Sequence, residues 1–398
     1  MKDKKQNKRI NGGHRLLFFC ILCLFGLYVA VSYAEEQPQR EQSKTKVILL
    51  HTDNLTYDQY RHPGAQILTG NVQFQHDGVL MYCDSACFYE ATNSFDAFGH
   101  VKMVQGDTLD LVGDMLLYNG LDQLARVRHN VVLTHRESKL YTDSLDYDRL
   151  YELGYFFEGG KLVDKDNVLT SDWGQYSPPT RQAVFNYNVK LENPKFTLIS
   201  DTLNYNTLTS MAEIVGPSNI DSGDNHIYSE SGFYNTQTEE AILLDRSIVT
   251  NKGRKMVGDS LYYDSKSGVG EGFRNVVYTD EVNKNMLTGN YCYYNDSTGY
   301  SMATDSAVAI DYSQRDTMYM HADTFKVYTF YMDTDSMYRE VRGYHKVRSY
   351  RMDVQSVCDS LVFDSRDTCI TMYRDPIVWN GGQQVLGEVI KVYLNDSP

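Results

Sequence analysis

Apolar and polar residues alternate one by one along most of the chain. In the stretch 139–148, Leu145 and Tyr147 fall in step with Asp143, while Ser144, Asp146 and Asp148 take the intervening positions. Successive side chains of a β-strand point to opposite faces, so Asp143, Leu145 and Tyr147 share one face and the polar set takes the other. The same parity returns at Asp201, Leu203 and Tyr205, and again at Asp259, Leu261 and Tyr263. Turn residues interrupt the alternation every 8 to 15 residues, and no segment after residue 34 sustains a helical apolar stripe. The pattern predicts an all-β chain whose strands have one face for burial and one for water.

The alternation is itself periodic. The residue that opens the Asp-x-Leu-x-Tyr phrase stands at Asp84, Asp114, Asp143, Asp172, Asp201, Glu230 and Asp259, with looser copies at Asn290, Asp323 and Asp359. The steps are 30, then five of 29, then 31, 33 and 36. Midway between these anchors lies a second phrase, a small or polar residue before a β-branched one. It reads Asn71-Val72, His100-Val101, Asn130-Val131, Asn188-Val189, Asn219-Ile220, Ser247-Ile248 and Asn275-Val276. A fixed period of this size predicts a repeat architecture with two strand-like runs per repeat. If each repeat gave one strand to each of two facing sheets, ten repeats would build a body roughly 48 Å long, with the sheets about 10 Å apart. Like charges in a row at strand spacing repel. Each anchor is therefore expected at a strand entrance, accepting a backbone N–H as Asp does in turns. The first and last strands are expected to be open edges.

Composition strengthens the β reading. The 398 residues include 32 Tyr and 16 Phe against 2 Trp and 8 Pro, and aromatic and branched side chains suit a half-buried pleated surface. The formal charge is −14, and the basic start of the chain (six Lys/Arg and one Asp in residues 1–15) leaves −19 on the rest. An acidic surface without a basic track argues against nucleic acid as a partner. Residues 16–31 are an uninterrupted apolar run, followed by Ser32-Tyr33-Ala34. This is the layout of a secretory signal with a small-residue cleavage site, and an uncleaved anchor is the competing reading. Either exports the remainder. Residues 35–46 are polar and read as a tether, and order is expected from Val47.

Chemistry-bearing patterns are absent. The ten His are scattered, and there is no His-Glu-x-x-His, Gly-x-Ser-x-Gly or glycine-rich phosphate loop. No Gly-Gly-x-Gly-x-Asp series supports a calcium β-roll. Cys83, Cys87, Cys292, Cys358 and Cys369 lack the spacing for a metal site or a disulfide scaffold, so buried apolar thiols are the default. We expect no catalytic residue, no metal and no cofactor.

The phrases Gly258-Asp259-Ser-Leu-Tyr-Tyr-Asp264, Gly70-Asn71-Val72 and Gly99-His100-Val101 resemble the OstA-like family of periplasmic lipopolysaccharide-transport proteins, of the LptA type and of the LptD amino-terminal domain. So does the closing segment Cys358-Asp-Ser-Leu-Val-Phe-Asp364, Asp375-Pro-Ile-Val-Trp379 and Leu386-Gly-Glu-Val-Ile390. The likeness covers about 47–394. Each motif is short, and their number and even spacing carry the match. It implies a semi-open β-jellyroll in the periplasm that holds the acyl chains of lipopolysaccharide between two sheets and passes them towards the outer membrane. An uncleaved leader would tether it to the inner membrane.

The implied partners are lipopolysaccharide or lipid A, an inner-membrane LptC-type and an outer-membrane LptD-type protein joined by edge-strand addition, and further copies of the chain end to end. The implied organisation is a leader (1–34), a tether (35–46), jellyroll repeats (47–300) and a second β segment (301–398) that continues or caps them. The chain is about twice as long as a minimal carrier of this type, and its spacing loosens after Asp259. The inward ladder Leu116, Tyr118, Leu145, Tyr147, Leu203, Tyr205, Leu261 and Tyr263 is the expected lipid-binding lining. The rival is a structural or adhesive repeat protein with a closed, dry core.

Overall fold

A computed structural model describes residues 45–332 and 334–393. The leader, and the tether as far as residue 44, lie outside the described residues. From Thr45 onward the chain forms one compact unit. Among the described residues, 28 strands join in one continuous antiparallel ladder, with a single 3-10 turn at Glu90–Thr92. Most strands are 11 to 13 residues long and pair with the next in sequence, as Leu109–Asn119, Leu124–His135 and Ser138–Asp148 do. The stretch from Leu153 to Ser177 breaks the same path into four short strands. Apart from that stretch, each 29-residue repeat is a hairpin of two long strands.

Each alternate strand bends in the middle, and the second sequence phrase is the bend. In Leu124–His135 the register jumps from Arg128↔Ser144 to Val131↔Thr142, so His129 and Asn130 together face the single residue Asp143. Two residues opposite one is a β-bulge, which kinks a strand. Both bulge residues are left-handed, with φ of 61° and 51°. The same left-handed pair recurs at 70/71, 99/100, 187/188, 245/246, 274/275, 305/306 and 345/346. Asn, Asp, His and Gly are the residues that visit this region most readily, which is why the phrase favours them. Two copies read from the sequence were out of step: the bulges lie at Gly216-Pro217 and Asp245-Arg246, just ahead of Asn219-Ile220 and Ser247-Ile248.

The bends line up into a spine that folds the ladder into two facing halves, the jellyroll. A repeat therefore places two half-strands in each half, where one had been expected. The anchors sit opposite the bulges, on the outer side of the spine. Their donors are the bulge side chains and not the backbone N–H expected of a turn. Asn130 Nδ2 donates to Asp114 Oδ2 at 2.7 Å, Asn188 to Asp172 at 2.6 Å and Asn275 to Asp259 at 2.8 Å. His100 Nδ1 lies 2.7 Å from Asp84 Oδ2. Successive anchors are two strands apart, about 9.5 Å; Asp84 and Asp143 are well exposed, and Asp259 and Asp359 are partly so. That separation is close to the screening length, so the row of charge is tolerable.

The inner side of the spine is crowded. The residue before each anchor is small, as at Cys83, Gly113, Ser171, Ser200, Ser229 and Gly258. A Cβ on Gly113 would lie 2.4 Å from Val127 Cγ1, inside any real contact. Apolar packing divides into two clusters, one reaching from Val47 to Leu261 and one from Val276 to Val378. Met256 packs against both.

Candidate functional site: the space between the two halves

All eight residues expected as lining lie on strand faces turned to the interior. Leu116, Tyr118, Leu145, Tyr147, Leu203, Tyr205 and Leu261 are buried, and Tyr263 is half-buried. Six of them belong to the part of the molecule that is shut. There the edges of the two halves farthest from the spine are closed by a polar seam with the repeat's own period. Tyr118 pairs with His76, Tyr176 with His135 and Tyr205 with Asp164, at 2.7, 2.8 and 2.8 Å. The partner lies 41 or 42 residues earlier each time. At the same step of 42 residues stand Gln105 and Tyr147; the Tyr147 hydroxyl and Gln105 Oε1 are buried and have no hydrogen-bond partner among the described residues. Asn167 Nδ2 adds a bond to Tyr205 at 2.9 Å. Phe196 closes edge-on against Tyr234, with ring centroids 4.7 Å apart.

The seam fixes the protonation of its histidines. Arg149 donates to the Tyr118 oxygen, so that hydroxyl donates to His76 Nδ1 and leaves Nε2–H for Thr45 Oγ1 at 2.9 Å. Burial, reinforced by the Arg149 charge and opposed by Asp77, lowers the His76 pKa below 6.5. Burial, then Arg181 and Arg136, lowers that of His135. Both are neutral in the folded chain, while the unfolded chain protonates near 6.5. The unfolded state therefore binds more protons as pH falls, and stability drops below about pH 6.5 until the folded-state pKa values are reached. Exposed His100, raised by its hydrogen bond to Asp84, acts with the opposite sign. The test is a difference. Urea midpoints between pH 7.5 and 5.5 should fall less in the His76→Gln/His135→Gln double variant than in the parent chain, and parallel curves would refute the assignment.

The seam stops after Tyr234, and the interior opens. From Arg254–Asp264 onward, inward residues near the spine stay buried, including Leu261, Cys292, Ala303, Phe325 and Leu361. Those farther out are only half-buried. They include Val249, Met256, Tyr278, Leu287, Ala309 and Met320 on one half. Facing them are Tyr263, Tyr294, Val327, Val341 and Phe363. The register confirms that each set is one face: Met256↔Tyr278↔Leu287↔Ala309↔Met320, and Tyr263↔Gly270↔Tyr294↔Ser301↔Val327↔Val341↔Phe363.

The cause of the opening is volume. In the sealed part, inward pairs such as Ala183/Phe185 and Ala212/Ile214 fill the space between halves. Here the corresponding pairs are Gly270/Gly272 and Ser301/Ala303. Tyr263 and Tyr294 lie on either side of Gly270, with rings 6.4 Å apart and 23° from parallel. A Cβ on Gly270 would fall 2.0 Å from the Tyr294 ring, so this position admits only glycine while that ring stays in place.

The outer rim is polar. Burial opposes the charge of Asp280, yet the Asn283 amides and Arg254, 3.4 Å away, hold its carboxyl below the usual range. The result is an apolar trough with a charged lip. Sequence reasoning missed Tyr278, Leu287, Ala309 and Met320, and the one available signal was the pair of inward glycines at 270 and 272. Among the described residues, no group of three or more His, Cys, Asp or Glu could hold a metal.

The family model described as OstA-like protein matches residues 44–201 and 196–259. Among solved structures, the chain is similar to LptH from Pseudomonas aeruginosa, the LptA-homologous periplasmic component of the lipopolysaccharide transport device. The identity is 18%, the match covers 36% of this chain and 95% of that one, and the TM-score is 0.26. No curated protein matches the chain. The matched segments take in over half of the residues, including the whole sealed part and the start of the first strand of the open one, and the chain belongs to the OstA-like protein family.

Proposed function

We propose that this chain is a periplasmic carrier of lipopolysaccharide whose acyl chains lie in the open trough, bordered by Leu261 and Tyr263, and are passed on towards the outer membrane. The observation that carries the reading is the row Met256, Tyr278, Leu287, Ala309 and Met320, apolar, inward and half-exposed. A protein interior is normally close-packed, and a continuous apolar row left open to water is the feature that needs an occupant. Burying an acyl chain there gains about 0.8 kcal/mol per methylene. The sealed part serves as a stiff spacer, and the segment 301–398 continues the trough.

Transfer needs a second trough in line with this one. The terminal strands offer the means, since Ile48, Leu50 and Leu55 at one end and Val385, Leu386 and Val389 at the other are exposed on short edge strands. Such edges accept a further strand from an LptC-type or LptD-type partner, or from another copy.

A photo-crosslinking side chain placed in turn at Leu287, Met320, Leu116 and Leu203, with lipopolysaccharide present, tests the reading. Adducts are expected at Leu287 and Met320 and not at Leu116 or Leu203. Unmodified protein at all four sites would favour the closed structural rod.

A further inference from the structure

At one repeat the anchor is not an acid, and a cleft of about 690 Å³ opens there on the outer side of the spine. The regular arrangement is an anchor carboxylate bonded to the bulge amide 16 residues on, as Asp259 is to Asn275. At the next step the anchor is Asn290 and the bulge is Asp305-Ser306, so this carboxylate–amide bond is missing. Phe273, Arg274, Asn275, Asn290, Tyr291 and Asp305 line the cleft. Arg274 and Asp305 are both exposed, and the Arg274 charge helps hold the neighbouring Asp259 carboxyl below its usual range, after the Asn275 amide and Arg246. Phe273 is 39% exposed, and its ring lies 5.4 Å from that of Tyr291. Tyr291 is steadied by donating to Glu271 Oε2 at 2.8 Å.

An aromatic floor beside a guanidinium, a carboxylate and two amides, held on rigid strands, suits a pyranose ring. The apolar face of a sugar stacks on the aromatic ring, and its vicinal hydroxyls take planar polar groups in pairs. The aromatic surface continues beyond the cleft. Tyr293 follows Tyr291 on the same face, then Tyr300 at 5.9 Å and Tyr328 at 5.3 Å, with Arg342 lying over Tyr328. Ordinary cross-strand packing accounts for these rings as pairs. It does not account for the cleft itself, which opens where Asn290 stands in place of an acidic anchor and brings a guanidinium, a carboxylate and two amides together. The acidic chain, with Asp259 and Asp305 at hand, disfavours an anionic ligand.

We propose that this cleft and the aromatic lane leading from it bind a neutral oligosaccharide, independently of the lipid trough on the opposite side of the same strands. Saturation-transfer NMR on the exported chain, with maltotetraose, chitotetraose and a heparin tetrasaccharide as probes, tests this without any acyl group present. Its outcome is therefore separate from that of the carrier reading. Transfer is expected to at least one neutral probe and not to heparin, and the two neutral arms separate α-linked glucose from β-linked N-acetylglucosamine chains. Phe273→Ala should weaken the dissociation constant by about tenfold or more. Asp305→Asn, which retains both shape and tolerance of a left-handed backbone, should do the same with an unchanged melting curve. No transfer to either neutral probe, or transfer undiminished in both variants, would overturn the proposal.

Discussion

Leu145→Ala should cost about 2–5 kcal/mol of folding free energy, and Leu287→Ala about 1 kcal/mol or less. Both are leucines on inward strand faces, Leu145 two residues after the anchor Asp143 and Leu287 three residues before the anchor Asn290. Leu145 is fully enclosed, between Val127 on one neighbouring strand and Phe156 on the other, so truncation leaves a cavity that the seam prevents from closing. Leu287 is only partly buried, between Tyr278 and Ala309 at the margin of the second apolar cluster, and loses only part of a burial it never completed. A repeat ladder need not unfold in one step. Hydrogen exchange read separately over 109–206 and over 276–364 is therefore the appropriate measurement, with denaturant as the variable. Equal losses at the two sites would mean that the second half is as tightly packed as the first.

The contrast between the halves was only partly legible in the sequence. Strand parity and the 29-residue period announced the ladder, because alternation and spacing are local properties. The bulges announced themselves as well, and they misled. A left-handed pair such as His129-Asn130 carries the residues of a turn and gives no sign that its strand runs on through the bend, so each strand was assigned to a single sheet and the strand count per sheet was halved. The donors to the anchors could not be read, since Asp114 and Asn130 meet only once the register is known. The seam was further out of reach. His76 and Tyr118 are in contact because two half-sheets close on each other, and no window of sequence spans that distance. The trough had a local signal in Gly270 and Gly272, but glycine in a strand more often marks a bulge or a close backbone approach. Its meaning depends on what faces it across the gap. The expected lining at Leu116, Leu145 and Leu203 followed the best-formed phrases, and those are the repeats whose regularity lets the halves shut.

Ala309→Trp should abolish retention of lipopolysaccharide while leaving the fold intact. Ala309 stands between Leu287 and Met320 in the middle of the half-exposed row, with space before it that the sealed repeats fill with larger side chains. An indole there occupies the path of an acyl chain and is expected to settle without displacing backbone, because Ala309 is only partly buried, at the margin of the second apolar cluster. Excluding even four methylenes removes about 3 kcal/mol of binding, a factor of more than a hundred. Native mass spectrometry of the exported chain with added lipopolysaccharide reads this directly as loss of the lipid adduct. The control is Ala125→Trp in the sealed half, where Ala125 is wholly buried and lies directly across from Tyr147. Overpacking at that site strains the core and should lower stability instead. If Ala309→Trp retained the full adduct, the acyl chains would have to lie elsewhere. If it unfolded the protein as Ala125→Trp does, the trough would be a closed core like the rest.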